Sequence, residues 1–170
     1  VQRPLAPAWL RDLGSPTLRM LPGPDSVSDA AASIDESWSL SAVSWRVGSS
    51  SDRRGVRLRS TGEGVALARR GGGSAANSGE LRSKGMLPGA VQLPPSGEPI
   101  ILGVDAPVTG GYAWVGQVIE ADVGRLAHLV AGAEIGFERV SFEAAERALA
   151  ERQNELDAAK SVRFEQLNAQ

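Results

Sequence analysis

Short stretches of alternating apolar and polar residues recur along most of this chain, and a period of two is the mark of half-buried β-strands. Leu18-Arg19-Met20-Leu21 reads as a strand that stops at Pro22-Gly23-Pro24-Asp25, a turn that no strand interior accommodates. Trp38, Leu40 and Ala42 alternate with serines. Trp45 and Val47 alternate with Ser44 and Arg46, and Val56 and Leu58 with Arg57 and Arg59. Val65-Ala66-Leu67 is a further short strand. Ile100-Ile101-Leu102-Gly103-Val104 is nearly continuously apolar, which suits a strand covered on both faces. Trp114 to Ile119, and then Ile135 with Phe137, complete the set.

Helical periodicity is scarcer. A weak pattern surrounds Asp29–Ile34. Asp122 is placed to cap a short helix containing Leu126, Ala127 and Leu129, with Gly132 as its stop. Ser141 caps the one long helix, in which Phe142, Ala145, Leu149, Leu156 and Ala159 fall on one apolar face. Glu146, Arg147, Glu151 and Arg152 form its solvated side. Many short strands, frequent Gly/Pro turns and few helices predict a mainly β fold, a barrel or sandwich with peripheral helices and a C-terminal helix. Residues 1–16, broken by Pro4, Pro7 and Pro16, read as a linker whose Trp9 and Leu10 dock onto something apolar. Residues 17–140 form the β domain, 141–170 a helical extension, and 71–79 a flexible glycine-rich loop.

Composition narrows the chemistry. The 170 residues suit a single domain, and a formal charge of −2 argues against nucleic acid as a partner. The absence of cysteine removes disulfides, thiol nucleophiles and cysteine-bound metals. The one histidine, His128, reads as solvated on the short helix, so no metal site is expected. No apolar run approaches the roughly 20 residues of a membrane span, so no membrane partner is expected either. The N-terminus Val1-Gln2-Arg3-Pro4 has neither a signal pattern nor an initiator methionine. A fragment, a processed product and one half of a split protein all fit, and the cytoplasm is the expected location.

No Gly-x-Ser-x-Gly elbow, Walker lysine loop or His-Glu-x-x-His is present. Three dense segments remain. In Ser50-Ser51-Asp52-Arg53-Arg54-Gly55-Val56-Arg57-Leu58, Arg57 points away from its apolar neighbours and suits fork-like capture of a carboxylate. An Asp52–arginine pair that pins the loop is the structural alternative. In Gly85-Met86-Leu87-Pro88-Gly89-Ala90-Val91-Gln92-Leu93-Pro94-Pro95-Ser96-Gly97, Gln92 sits on a very short strand between two turns. Its amide can both donate to and accept from an amide or urea-like substrate, or else satisfy neighbouring backbone. In Asp105-Ala106-Pro107-Val108-Thr109-Gly110-Gly111-Tyr112, Asp105 follows the buried run, and Gly110-Gly111 permits positive φ and close approach to a ligand. Thr109 and Tyr112 add hydroxyls, so this loop is either an oxyanion cradle or a tight turn.

Together these segments, with Leu21-Pro22-Gly23-Pro24 upstream and Ala121-Asp122 to Phe137 downstream, resemble the family of allophanate hydrolase subunit 2 and the C-type subunit of 5-oxoprolinase. This family is also called KipA-like or biotin-dependent carboxyltransferase-like. The resemblance covers residues 17–140 and corresponds to the C-terminal half of a family usually about twice this long. It implies a cyclophilin-like β-barrel. It also implies one of two activities, ATP-dependent opening of 5-oxoproline to glutamate or carboxyl transfer from carboxybiotin to urea. A third relative is a regulator of a sporulation-kinase inhibitor. The implied partners are a subunit 1 (KipI-like) protein and the N-terminal half, with ATP or carboxybiotin reaching the reaction through partner subunits and no cofactor held by this chain alone. On this reading Arg57, Gln92, Thr109, Gly110, Gly111 and Tyr112 bind a small amide substrate, and Asp52 and Asp105 act as acid/base or orienting groups. A non-catalytic module pairing with the KipI-like protein is the alternative. The chain departs from the family pattern at Lys84, where an acidic residue is common, and at Asp25, where glutamine or glutamate is usual. Arg54 and Ala113 are further departures, at positions where methionine and proline are common.

Overall fold

The structure is a computed structural model that describes residues 17–26, 40–61 and 82–168, with side chains to Lys160. The linker 1–16, the pattern at Asp29–Ile34, Trp38, the strand at 65–67 and the loop 71–79 lie outside the described residues.

Nine strands are described: β1 (Thr17–Pro22), β2 (Trp45–Val47), β3 (Gly55–Ser60), β4 (Lys84–Gly85), β5 (Ala90–Leu93), β6 (Ile100–Leu102), β7 (Thr109–Gly110), β8 (Ala113–Val118) and β9 (Glu134–Arg139). Seven of them close a barrel in the order β1-β8-β5-β6-β3-β2-β9. The seam is the one parallel pair, β1 with β9, where Leu18 lies opposite Phe137. Alternation puts Leu18, Met20, Trp45, Val47, Val56, Leu58, Ile101, Ile135 and Phe137 in the interior, which accounts for the period of two in the sequence. The mainly β closed barrel expected from the sequence is therefore the fold. Leu40 to Ala42, expected as a strand, form a turn instead. Leu40 is buried there, and its carbonyl accepts the indole N–H of Trp45 at 2.9 Å.

The β5–β8 pairing slips between Val91, opposite Gly116, and Gln92, opposite Trp114. This bulge leaves Val115 unpaired and sends both it and Gly116 inward. A Cβ at Gly116 would lie 2.2 Å from the Met20 sulfur, so the position has no room for a side chain. Trp114 is thereby returned to the outer face.

That outer face is covered. β4 and β7 pair as a separate two-stranded ribbon, Lys84 opposite Gly110 and Gly85 opposite Thr109. Met86 beneath it packs with Ala90 and Leu102, against Ile100, Ala106 and Trp114, as a second small core outside the barrel. Burial on both faces therefore holds for Ile101 and Leu102, but the expected run does not reach Val104, which is 65% exposed beyond the strand end.

Helix α1 (Glu120–Val123) and a 3-10 turn (Gly124–His128) follow β8. Asp122 is not the expected N-cap. The helix begins after Ile119, and Asp122 lies inside it, 1% exposed. Its carboxylate is held by the Arg19 guanidinium at 2.6 and 3.0 Å and by the Arg19 backbone N–H at 2.9 Å. This tertiary ion pair outweighs the local capping preference. Gly132 has φ +88 and turns the chain into β9.

Helix α2 (Phe142–Asn168) begins as expected, with the Ser141 hydroxyl accepting the Ala144 N–H at 3.2 Å. Its inward face differs from the expected one. Ala145 and Ala148 pack on Ile119 and Ala121, whereas Phe142 and Leu149 are 62% and 42% exposed. Small side chains let the helix approach α1, and Arg152 donates to the Glu120 and Ala121 carbonyls at 3.1 and 2.7 Å.

Candidate functional site

The barrel order brings the three motif segments together. β3, β6, β5 and β8 are neighbours, and one cross-strand row runs Arg57–Ile100–Gln92–Trp114. Residues directly opposite in a sheet point their side chains to the same face. Because Leu58, Ile101, Val91 and Val115 fill the interior, this row stands on the outside, under and beside the β4–β7 ribbon.

Gln92 is its centre. It is 6% exposed, and Gln117 Oε1, not a Gln92 atom, is the buried side-chain polar atom without a partner among the described residues. Gly110 lies directly over it, since a Cβ built at Gly110 would be 2.2 Å from Gln92 Nε2 and 3.3 Å from Met86 Cε. Positive φ among the described glycines occurs at Gly89, Gly97 and Gly132, so the need for glycine at 110 is close approach and not backbone conformation. Thr109 is exposed, Gly111 half-buried and Tyr112 42% exposed. Arg57 is exposed at the far end of the row, and its backbone N–H donates to the Ser51 hydroxyl at 2.9 Å.

Asp52 and Asp105 are at the other end of β3 and β6. Asp52 accepts from the Arg54 guanidinium at 2.9 and 3.0 Å and from the Arg54 backbone N–H at 2.8 Å. The Arg54 hydrogen bonds hold its carboxyl below the usual carboxylate range. Asp52 thus pins its own loop, as the structural alternative anticipated. Asp105 pairs with Arg53 at 2.6 Å, which joins the first motif segment to the third. Asp52 and Arg53 also line a cleft of about 530 Å³ with Val56, Val104, Leu126 and Leu129. Gln92, Gly110 and Tyr112 do not border this cleft. His128 is exposed, as expected. Among the described residues no group of three or more His, Asp or Glu side chains is arranged to hold a metal ion. None of their helices is long and apolar enough to cross a membrane.

The model of the carboxyltransferase domain, subdomain A and B, matches residues 3–139. The chain belongs to the carboxyltransferase domain family. It is 39% identical over 136 residues to the C-type subunit of Escherichia coli 5-oxoprolinase, covering 80% of this chain and 40% of that protein. With the corresponding 5-oxoprolinase subunit of Haemophilus influenzae it shares 37% identity over 152 residues, 89% of this chain and 43% of the relative. The chain therefore spans about two fifths of the curated relatives' length. The crystal structure of Kluyveromyces lactis urea carboxylase is similar in fold, with a TM-score of 0.65 at 20% identity, over 84% of this chain and 12% of that one.

Sequence reasoning about this carboxyltransferase domain missed two contacts at the site. Lys84 donates to both carboxylate oxygens of Asp25, at 2.7 and 2.5 Å. Asp25 Oδ2 in turn accepts the backbone N–H of Trp114 at 2.7 Å. A signal was available, because two of the four positions that depart from the family pattern, Lys84 and Asp25, carry opposite charges. Trp114 was read as a strand residue, and its place beside Gln92 depends on the bulge.

Proposed function

We propose that this chain is the amide-recognising barrel of a multi-subunit enzyme of the 5-oxoprolinase type, acting on a small cyclic amide. Gln92 orients the substrate amide, donating from its nitrogen and accepting at its oxygen. The backbone of Gly110 and Gly111 approaches the substrate carbonyl, Tyr112 adds a hydroxyl, and Arg57 attracts a substrate carboxylate. The observation that carries this reading is the position of the Gln92 side chain, directly under Gly110 and on the cross-strand row that carries Arg57 and Trp114. Support for 5-oxoproline as the amide comes from the two curated relatives, each named as a subunit of 5-oxoprolinase.

Asp52 and Asp105 act in this reading as orienting groups, because each is engaged by an arginine. Proton transfer and ATP, or carboxybiotin in a urea-type reaction, come from partner subunits, among them a subunit 1 protein. The same two ion pairs favour a second reading, a regulatory module that binds the subunit 1 partner without taking part in catalysis.

The test is ATP-dependent 5-oxoproline opening by the reassembled complex, comparing the natural chain with Gln92→Ala combined with Tyr112→Phe. Loss of about 100-fold in kcat/KM with the complex intact fits misplacement of a bound substrate. Unchanged kinetics sinks the reading. An intact complex in which the natural chain itself supports no turnover favours the regulatory one.

A further inference from the structure

Five residues close a ring around the site. Gln92 lies opposite Trp114, Trp114 N–H donates to Asp25, Asp25 pairs with Lys84, Lys84 lies opposite Gly110, and Gly110 rests on Gln92 Nε2. The ring draws on β5, β8, the turn after β1, and both strands of the ribbon. The ribbon is only two residues long on each side, too short to hold its own geometry by pairing alone. Lys84 to Asp25 is the side-chain ion pair that ties the ribbon back to the barrel wall. The side chains of Lys84 and Asp25 are 31% and 19% exposed, so salt screens the pair less than it would a surface pair.

We infer that Lys84 and Asp25 form a clasp that fixes the Gly110–Gly111 backbone over Gln92, making them positioning residues for amide binding. The inference rests on the functional reading above for its consequence, but not for its geometry. The two charges act jointly. Lys84 holds the ribbon down, and Asp25 carries that restraint to the Trp114 backbone and so to the strand beside Gln92. An acidic residue at 84 would repel Asp25 instead of pairing with it.

The experiment uses the complete complex with Lys84→Met, Asp25→Asn and Lys84→Arg. Hydrogen exchange is followed in the segments 84–93 and 105–116, and KM and kcat are measured with 5-oxoproline and ATP. Lys84→Met and Asp25→Asn are expected to raise exchange in both segments, not in β2 or β9, and to raise KM about tenfold or more with a smaller change in kcat. Lys84→Arg, which keeps the cation, restores most of both. If Lys84→Met does not fold, Asp25→Asn carries the test, since its amide oxygen still accepts the Trp114 N–H. Unchanged exchange in the two segments overturns the clasp. Raised exchange with unchanged KM, while Gln92→Ala is still impaired, overturns its positioning role. Raised exchange with neither Lys84→Met nor Gln92→Ala affecting turnover leaves the clasp standing and removes the functional reading instead.

Discussion

Gly110 presses its backbone against the side-chain nitrogen of Gln92, leaving no space for even a methyl group between them. The neighbouring atom on one side is the tip of a side chain, but that side chain is buried and Met86 closes the other direction. Gly110→Ala must therefore displace the Gln92 carboxamide or lift the ribbon. Overpacking of this kind costs about 1–3 kcal/mol. The expected outcome is a lowered denaturation midpoint and, on the proposed function, a raised KM for 5-oxoproline in the assembled enzyme. Gly85→Ala is the control, since a Cβ there meets nothing within 4 Å, and it should leave both nearly unchanged.

The Arg19–Asp122 pair predicts how stability varies with pH. Burial pushes the Asp122 carboxyl up, but the Arg19 side-chain and backbone hydrogen bonds and the charges of Arg19 and Arg125 outweigh it, and the net shift is downward. A depressed folded-state value means the ionised carboxylate stabilises the fold above the ordinary aspartate range. That contribution is lost as pH falls through the folded value, below about 4. Asp122→Asn should cost about 3 kcal/mol at neutral pH, because it takes from the Arg19 guanidinium the anion it grips. It should also flatten the acid limb of the stability curve. Urea denaturation of both proteins between neutral pH and strongly acidic pH measures this, and an equal acid slope in the two would contradict it.

Arg152 anchors the C-terminal helix through two backbone carbonyls of α1. Arg152→Ala removes both bonds, while the contacts of Ala145 and Ala148 with Ile119 and Ala121 persist. Hydrogen bonds to charged donors contribute about 1.5–3 kcal/mol. Proteolysis within 142–160 should therefore speed up, while the barrel's own unfolding midpoint should hardly move. A matching loss of barrel stability would mean that the helix is part of the barrel's cooperative unit.

The strands were legible because their determinants are local, while the choice of a barrel over a sandwich came from the family resemblance. Leu18 with Met20, Trp45 with Val47 and Val56 with Leu58 each announce an inward face two residues apart. The strand order was not, since β3-β6-β5-β8 is set by long-range pairing that no window of sequence reports. Asp122 was misread for the same reason, its partner being 103 residues away. Val104 and Phe142 were misread because apolar residues at a strand end or helix start need not be buried. Gln92, Gly110 and Tyr112 were picked out by their motifs, but the packing of Gly110 on Gln92 was not legible from them. The Asp52–arginine pair was open to sequence reasoning because Arg54 is two residues away, whereas the Arg53–Asp105 and Lys84–Asp25 contacts depend on how the loops and the ribbon fold over the sheet, which spacing along the chain does not encode.

The central claim is that the Gln92 carboxamide meets the substrate amide. The most direct measurement is the side-chain 15N–1H2 resonance of Gln92 in selectively glutamine-labelled protein within its complex, titrated with 5-oxoproline. A saturable shift of the Gln92 signal, with the Gln117 signal unmoved, is the predicted result. Saturable binding that leaves the Gln92 signal in place would contradict the account.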